Sequence, residues 1–195
     1  MTLYQKHVRK WEYCSQCPLG EQRNKIVLAR GKIPCDILFI GEAPGASEDI
    51  IGRPFVGPAG HLLLSLIKRT VEVSGLSYCL TNLVACFPRE AKRGGTNEPP
   101  TECVLACANR LREMVRIAKP RAIVSVGKLV SRHIAGEAQF RLDGKPKGVE
   151  WLKGKPMLFA EILHPAHILH LDDSQKPLAV RRCVVTLQEI TDALQ

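Results

Sequence analysis

A glycine-rich, acidic loop is the segment of this sequence best suited to chemistry. It reads GEAPGASEDIIGRPFVGPAG, spans residues 41–60 and directly follows an apolar run at residues 37–40. Small residues let its backbone approach a ligand closely. The loop lacks the GxGxxG spacing and the lysine of common phosphate-binding loops, and its carboxylates would repel phosphate. They indicate hydrogen-bond acceptors, activators of water or stabilisers of positive charge, and are Glu42, Glu48 and Asp49.

Two uncharged side chains suit the recognition of a flat, polar ring. Phe55 lies in the loop between Pro54 and Val56, where it is either a buried anchor or a platform on which a planar base stacks. Asn82 lies in an apolar segment, and its amide offers a donor beside an acceptor, which suits a pyrimidine edge. A structural hydrogen bond is the other interpretation of Asn82, because a polar group in a buried strand needs a partner.

The segment HPAHILH at residues 164–170 follows another apolar run. Pro165 fixes the turn and directs His164 toward the end of the preceding strand. A histidine placed there can donate to a carbonyl oxygen that gains charge in a transition state. His167 and His170 fit the surface of a helix better than a metal site.

Eight cysteines in a chain that shows no export signal favour metal or redox chemistry over a disulfide framework. Cys14 and Cys17 form a CxxC pair, and Cys86 with either Cys107 or Cys103 would complete four thiolates. Four thiolates suit tetrahedral zinc or an iron–sulfur cluster, and spacing alone does not decide between them. The remaining three cysteines fit buried core positions and are Cys35, Cys79 and Cys183.

The charge balance favours a polyanionic partner. The formal net charge is +9, and lysines and arginines that neutralise phosphates release condensed counterions. Solubility alone would explain the same excess. A flexible basic loop near residues 89–95 stands next to the predicted cleft, and phosphate contact is predicted for Arg89, Lys92 and Arg93.

The predicted elements alternate between strand and helix. Strands are expected at residues 37–40, 78–85, 121–126 and 157–163, with a short one in the loop-rich stretch around residues 149–152, and helices at residues 61–74, 99–119, 127–135 and 175–194. Such alternation predicts a parallel sheet with helices on both faces, in which sites form at the carboxyl ends of the strands. We expect one domain over residues 1–195. No apolar run is long enough to cross a membrane, and the N-terminus lacks a signal-peptide core, so we expect a cytoplasmic protein. We also expect a monomer.

Several of these motifs together resemble one known family. GEAPGASED with GRPFVGPAG, then TNLVAC, a late cysteine on a helix, and HPAHIL are similar to the iron–sulfur uracil-DNA glycosylases, family 4 of the uracil-DNA glycosylase superfamily. The resemblance implies a three-layer α/β/α sandwich around a four-stranded parallel sheet. It also implies a structural [4Fe–4S] cluster, held by four cysteines that correspond to Cys14, Cys17, Cys86 and Cys107.

The resemblance also implies roles in the excision of uracil from single- or double-stranded DNA. Gly41, Glu42 and Ala43 would form the turn that binds base and water, and Glu48 would position or activate water. Phe55 would stack on the flipped base, Asn82 would pair with its edge, and His164 would stabilise charge at its O2 oxygen. DNA contacts are expected from the basic loop and from His167.

One segment departs from the family pattern. The stretch CFPREAKRGGTNEPP at residues 86–100 is longer than the usual one, and Asn97 is the residue that would take the place of the family's asparagine. This loop holds no histidine, so covalent linkage to DNA through a loop histidine is not expected. Three alternatives stay open: a glycosylase for another modified or deaminated base, including one in viral DNA, a catalytically weak DNA-binding module with a structural metal, and a zinc-binding redox protein.

Overall fold

The computed structural model describes residues 1–89, 98–142, 145–152 and 154–195. In these residues the strands are β1 (Ala29–Gly31), β2 (Ile37–Gly41), β3 (Tyr78–Asn82), β4 (Ala122–Val126), β5 (Lys147–Leu152) and β6 (Lys155–Ile162). The helices are α1 (Leu3–Trp11), α2 (Leu19–Gln22), α3 (Ala46–Ile51), α4 (Pro58–Ile67), α5 (Thr101–Ala118), α6 (Lys128–Ala138), α7 (Pro165–His170) and α8 (Lys176–Leu194). No described helix is both long and apolar enough to span a bilayer.

The strands form one sheet in the order β1-β3-β2-β4-β6-β5. The four central strands are parallel, as predicted, and the two edge strands are antiparallel to their neighbours. The α/β class is therefore confirmed, but the predicted count of four strands is wrong because the described residues contain six. β1 has only three residues, which is too short to show a hydrophobic period, and β5 contains the short strand expected around residues 149–152, in a segment rich in glycine and lysine.

Helices cover both faces of the sheet and create two apolar cores. β2 is buried at every position, so its side chains alternate between the two cores. Ile37 and Phe39 pack with the helices α4, α7 and α8, whereas Leu38 and Ile40 pack with α1, α5 and α6. The result is the three-layer α/β/α arrangement that the alternating elements predict.

Two predicted elements have different bounds, and both differences shape the cleft. α4 begins at Pro58, earlier than predicted, because a proline suits the first turn of a helix, and one π turn at Lys68–Glu72 follows it. β3 ends at Asn82 rather than at residue 85. The next two backbone N–H groups donate to the loop after β2, from Leu83 to the Gly41 carbonyl at 2.8 Å and from Val84 to the Glu42 carbonyl at 3.2 Å.

Candidate active site

The glycine-rich loop after β2 lines a cleft of about 740 Å³ at the carboxyl edge of the parallel strands. Topology alone predicts this meeting point, because loops that follow neighbouring parallel strands share one edge of the sheet. The lining includes most of the residues that the sequence singles out, namely Glu42, Ala43, Glu48, Phe55, Asn82, His164 and His167. It also includes Phe87 and Glu98, which the sequence analysis does not assign a role.

Gly41 stands at the base of the cleft, where β2 ends. A side-chain carbon added to it would lie 2.4 Å from Oδ1 of Asn82 and 2.6 Å from Cζ of Phe55. The absence of a side chain at Gly41 therefore lets the phenylalanine ring and the amide converge on the same point. The two groups predicted to contact a base do meet in the structure.

Phe55 combines the two interpretations that the sequence leaves open. Its backbone is left-handed, with a φ of 57°, and its carbonyl accepts a hydrogen bond from Nη2 of Arg30 at 3.2 Å. The backbone of Gly60 packs so closely against Phe55 that any side chain there would overlap its carbonyl. The ring is 8% exposed and belongs to the core under α4, yet it also lines the cleft. It is an anchored residue with part of its ring open to a ligand.

Asn82 is 2% exposed and is the last residue of β3. Among the described residues, its side-chain amide has no hydrogen-bond partner, although it lines the cleft. Its backbone carbonyl accepts from Nη2 of Arg110 at 2.5 Å. The amide borders the cleft without a partner among the described residues, so its donor and acceptor are available to a ligand's polar edge.

Arg110 is a buried cation that the sequence analysis does not single out. It is 1% exposed, and besides the Asn82 carbonyl its guanidinium donates to the Leu83 carbonyl at 2.8 Å and the Thr81 hydroxyl at 3.3 Å. The guanidinium therefore fixes the end of β3 from beneath the cleft. A sequence signal existed, because Arg110 falls on the buried face of α5 three residues after Cys107 and four before Met114.

Glu42 faces the cleft from the first position after β2. Burial, together with the nearby Glu98 carboxylate, raises the pKa of its carboxyl to about 7. A side-chain carbon added to Gly127 would lie 2.7 Å from Oε1 of Glu42 and 3.2 Å from Cδ2 of His164. Gly127, which the sequence predicts only as the start of a helix, thus lets this acid and His164 lie close together. A carboxyl with a pKa near neutrality suits proton transfer at physiological pH.

His164 is the residue before α7, and its ring is held by that helix. Its Nδ1 accepts a hydrogen bond from the backbone N–H of Ala166 at 3.2 Å, so the proton of the neutral ring lies on Nε2. Burial, followed by repulsion from His167, lowers the pKa of His164. The imidazole is therefore neutral at pH 7 and presents one N–H donor.

The Glu48 carboxylate accepts three hydrogen bonds from backbone N–H groups of its own loop. Its Oε1 accepts from the backbone N–H groups of Val56 at 2.7 Å and Gly57 at 2.8 Å, and its Oε2 accepts from Gly45 at 3.0 Å. The carboxylate is buried and ties the beginning of the loop to its end. These contacts favour a structural role, and the prediction that Glu48 activates water has weaker geometric support than the same role for Glu42.

Of the residues predicted to contact DNA, Arg89 and His167 belong to the described part of the chain. Arg89 pairs at 2.9 Å with Asp49, a carboxylate only 2% exposed that also accepts from the side chain of Asn24. The Arg89 side chain is 43% exposed, so it pairs with Asp49 and still reaches solvent. His167 is exposed at the cleft. Asn97, Lys92 and Arg93 lie outside the described residues.

Five cysteines from three parts of the chain belong to, or pack against, the apolar core on the face of the sheet covered by α1, α5 and α6. Cys14 and Cys17 follow α1, Cys86 follows β3, and Cys103 and Cys107 are one turn apart on α5. Burial raises the pKa of the Cys86 thiol to about 11 against the opposing effect of Arg23, and the Cys107 and Cys17 thiols contribute to the rise. Burial, together with the nearby Cys17 thiol, raises the pKa of the Cys103 thiol to about 11.

A cation also belongs to this group of cysteines. Nη1 of Arg23 donates to the Cys14 carbonyl at 2.6 Å and lies 3.6 Å from Sγ of Cys86. In the described part of the chain, no three His, Cys, Asp or Glu side chains are arranged around a single ion. Thiols that lie beside a cation have the chemistry of a thiolate metal site, and such thiolates bind zinc or an iron–sulfur cluster.

The layers and the cleft define the class of protein. A carboxyl of raised pKa, a neutral histidine donor, an unpaired amide and an aromatic ring surround one space at the carboxyl edge of a three-layer α/β/α fold. This set is typical of an enzyme that binds a planar polar group and transfers a proton beside it.

Comparison with known proteins identifies the family. Residues 29–188 match the Uracil DNA glycosylase superfamily, and the chain belongs to it. It is 32% identical over 183 residues to a Type-4 uracil-DNA glycosylase of Saccharolobus solfataricus, a match that covers 91% of this chain and 81% of the relative. It is 32% identical to a protein of the same description from Thermotoga maritima, over 87% of this chain and 83% of the relative. A third Type-4 uracil-DNA glycosylase, from Archaeoglobus fulgidus, is 31% identical over 84% of this chain and 81% of the relative.

Proposed function

We propose that this protein removes uracil from DNA by hydrolysing its N-glycosidic bond, which leaves an abasic site for repair. The observation that carries the proposal is the convergence of Glu42, Phe55, Asn82 and His164 on one cleft. The similarity to Type-4 uracil-DNA glycosylases supports uracil as the base. The unit would be a single domain over residues 1–195 that acts as a cytoplasmic monomer, as the sequence predicts.

Recognition requires the base to leave the double helix, because the glycosidic bond is not accessible within the stack. The flipped ring would stack on Phe55, and the backbone of Gly41 and Ala43 would border it. The Asn82 amide would pair with the polar edge of the pyrimidine through a donor and an acceptor. The fixed carbonyl of Asn82, held by Arg110, supports a single orientation of that amide.

Hydrolysis breaks the bond between C1′ of the sugar and N1 of uracil, and the bonding electrons leave with the base. Negative charge then develops on O2 of uracil, where the Nε2–H of His164 would donate to it. A water oxygen attacks C1′, and the Glu42 carboxylate would accept the water's proton. We favour Glu42 over Glu48 for this step because three backbone N–H groups already occupy the Glu48 carboxylate.

The opposing charges of the protein would then have separate tasks. The carboxylates stand near the sugar, which gains cationic character as the bond breaks. Basic residues around the cleft would contact phosphates, and those we assign to this contact are Arg89, Lys92, Arg93 and His167. Asn97 would complete the base pocket from the extended loop.

We further propose a [4Fe–4S] cluster held by Cys14, Cys17, Cys86 and Cys107. Arg23 would stabilise the anionic thiolates, since it already lies beside Cys86. Such a cluster would cross-link the segment after α1, the segment after β3 and helix α5. Its contribution would be structural, because hydrolysis of the base requires no electron transfer.

A uracil-containing oligonucleotide provides the direct test of the proposed function. We expect the anaerobically purified protein to convert it to an alkali-labile abasic site and to release free uracil. Matched oligonucleotides with other deaminated or modified bases test the alternative substrates. Binding of DNA with no release of any base would contradict the proposal and favour a DNA-binding module.

The two neighbouring cysteines of α5 make a matched pair for testing the cluster. We expect Cys107→Ser to reduce bound iron, acid-labile sulfide and visible absorbance, whereas Cys103→Ser keeps all three near wild-type amounts. The reason is that thiolates, and not hydroxyls, are the usual ligands of such clusters. The reverse result would exchange the two positions in the ligand set. Zinc without sulfide in the wild-type protein would refute the cluster itself.

A further inference from the structure

A second cavity, of about 660 Å³, lies between α6, the end of β6 and α8. Its lining is strongly basic, and we call it the cationic groove. Its six cations are Lys128, Arg132, Lys145, Lys147, Arg181 and Arg182, and its two carboxylates are Glu161 and Glu189. Residues from both layers of helices thus contribute positive charge to one space. None of these residues belongs to the cleft described above.

The positive charge of the groove is largely uncompensated by the protein. Among the described residues, no ion pair involves Lys128 or Arg132 on α6, or Arg181 or Arg182 on α8, and all four side chains are exposed. The Glu161 carboxylate already accepts a hydrogen bond from the Ser131 hydroxyl. Like charges collected around one cavity repel each other, so the arrangement is stabilised when an anion enters it.

The groove is lined by chain neighbours of residues at the active-site cleft. Lys128 directly follows Gly127, the residue packed between Glu42 and His164. On the other side, Leu163 lines the groove and directly precedes His164. The two cavities therefore share the carboxyl edge of β6, and α6 carries positive charge away from the cleft with Lys128 and Arg132 one turn apart.

We propose that the cationic groove binds the phosphodiester backbone of the DNA that flanks the target nucleotide. The inference rests on the proposed function of the cleft, which makes the substrate a continuous polyanion. A strand whose nucleotide occupies the cleft must leave along its borders, and the groove at this border holds six cations against two carboxylates. The groove contacts no base, so it adds affinity and not sequence preference.

The test replaces two exposed arginines on α8. In Arg181→Gln/Arg182→Gln, we expect affinity for a uracil-containing strand of about 30 nucleotides to fall roughly tenfold, and the slope of log affinity against log salt to flatten by about 1 to 2. The control is Lys68→Gln/Arg69→Gln, which removes the same charge from exposed positions on the π turn, outside the groove. That control should change both quantities less.

Substrate length distinguishes this inference from the function on which it depends. A uracil oligonucleotide of about five nucleotides would not extend along the groove, so the groove double variant and the Lys68→Gln/Arg69→Gln control should both excise from it at the wild-type rate. An unchanged salt slope on the long strand, or an equal loss on short and long strands, would overturn the groove proposal. Failure of the wild-type protein to excise uracil from either strand would overturn the proposed function, while binding to the long strand still reports on the groove.

An acidic peptide is the competing occupant, because exposed Leu178 and Val185 on the rim of the groove would suit apolar anchors. The probe is a synthetic peptide that alternates glutamate with leucine. If Arg181→Gln/Arg182→Gln abolishes binding of this peptide but leaves DNA affinity unchanged, the groove is a peptide site and the DNA proposal is wrong.

Discussion

Glu42→Gln is expected to slow uracil excision by about a hundredfold under single-turnover conditions, because the amide cannot accept the proton of the attacking water. The variant keeps the size and hydrogen-bonding reach of the side chain, so DNA affinity should change little. The measurement is the rate of abasic-site formation with enzyme in excess of a uracil-containing oligonucleotide.

The pH dependence gives this prediction a signature that a structural effect would not produce. The pKa of Glu42 is about 7, so the carboxyl is protonated below that pH and cannot act as a base. The wild-type rate should therefore rise as pH increases through about 7 and then level off, and Glu42→Gln should lose this rise. Glu48→Gln is the comparison variant. If it loses the rise while Glu42→Gln retains it, water activation belongs to Glu48, as the family resemblance first implied.

The same pKa has a consequence for stability with a definite sign. The folded protein holds the Glu42 proton more tightly than the unfolded chain, in which the pKa is near 4.5. Ionising this group therefore lowers the free energy of unfolding as pH rises from about 4.5 to about 7. Glu42→Gln lacks this loss and should be at least as stable as the wild type at pH 8, measured by denaturant unfolding. A clear loss of stability there would show that the carboxylate is well solvated or paired.

His164→Ala is expected to reduce the excision rate by about 10² to 10³, the range found when a single donor to a developing oxyanion is removed. Because burial lowers the pKa of His164, its neutral Nε2–H donor is present throughout the neutral range. Its removal should therefore lower the rate by a similar factor at pH 7 and pH 8. Single-turnover rates at both pH values provide the measurement.

His167→Ala is the matched control for His164. His167 also lines the cleft, but it is exposed at the rim, so its loss should affect DNA affinity more than the rate of the chemical step. His164→Gln, which restores an N–H donor, should recover part of the rate. Wild-type excision by His164→Ala would mean that another donor meets the departing base.

The sequence predicts those parts of the fold that have a strong local pattern. The continuous apolar run of β2 identifies a buried central strand, and the apolar stripes of α5 and α8 identify their packed faces. β1 escapes prediction because three residues carry no period and its pairing with β3 depends on a distant segment. For the site, the order of strands and loops does predict that Glu42, Asn82 and His164 share one edge of the sheet.

The local sequence pattern does not show contacts between backbone and side-chain groups that are far apart along the chain. A glutamate in an acidic loop looks available for chemistry, and only the folded loop shows that Val56, Gly57 and Gly45 occupy Glu48. Arg110 resembles an ordinary helix arginine until its partners at the end of β3 are known. Gly127 looks like an ordinary start of a helix, although its missing side chain is what lets Glu42 and His164 lie close together.

The Glu48 carboxylate joins both ends of the glycine-rich loop before any nucleic acid arrives. The entropy of ordering that loop is therefore lost during folding and not at each encounter with DNA. Because the loop of the protein is already ordered, the conformational change on binding falls to the DNA, and the duplex must open to release the nucleotide. Nucleotides in weak or mismatched pairs, which leave the stack with less work, would then reach the cleft most often.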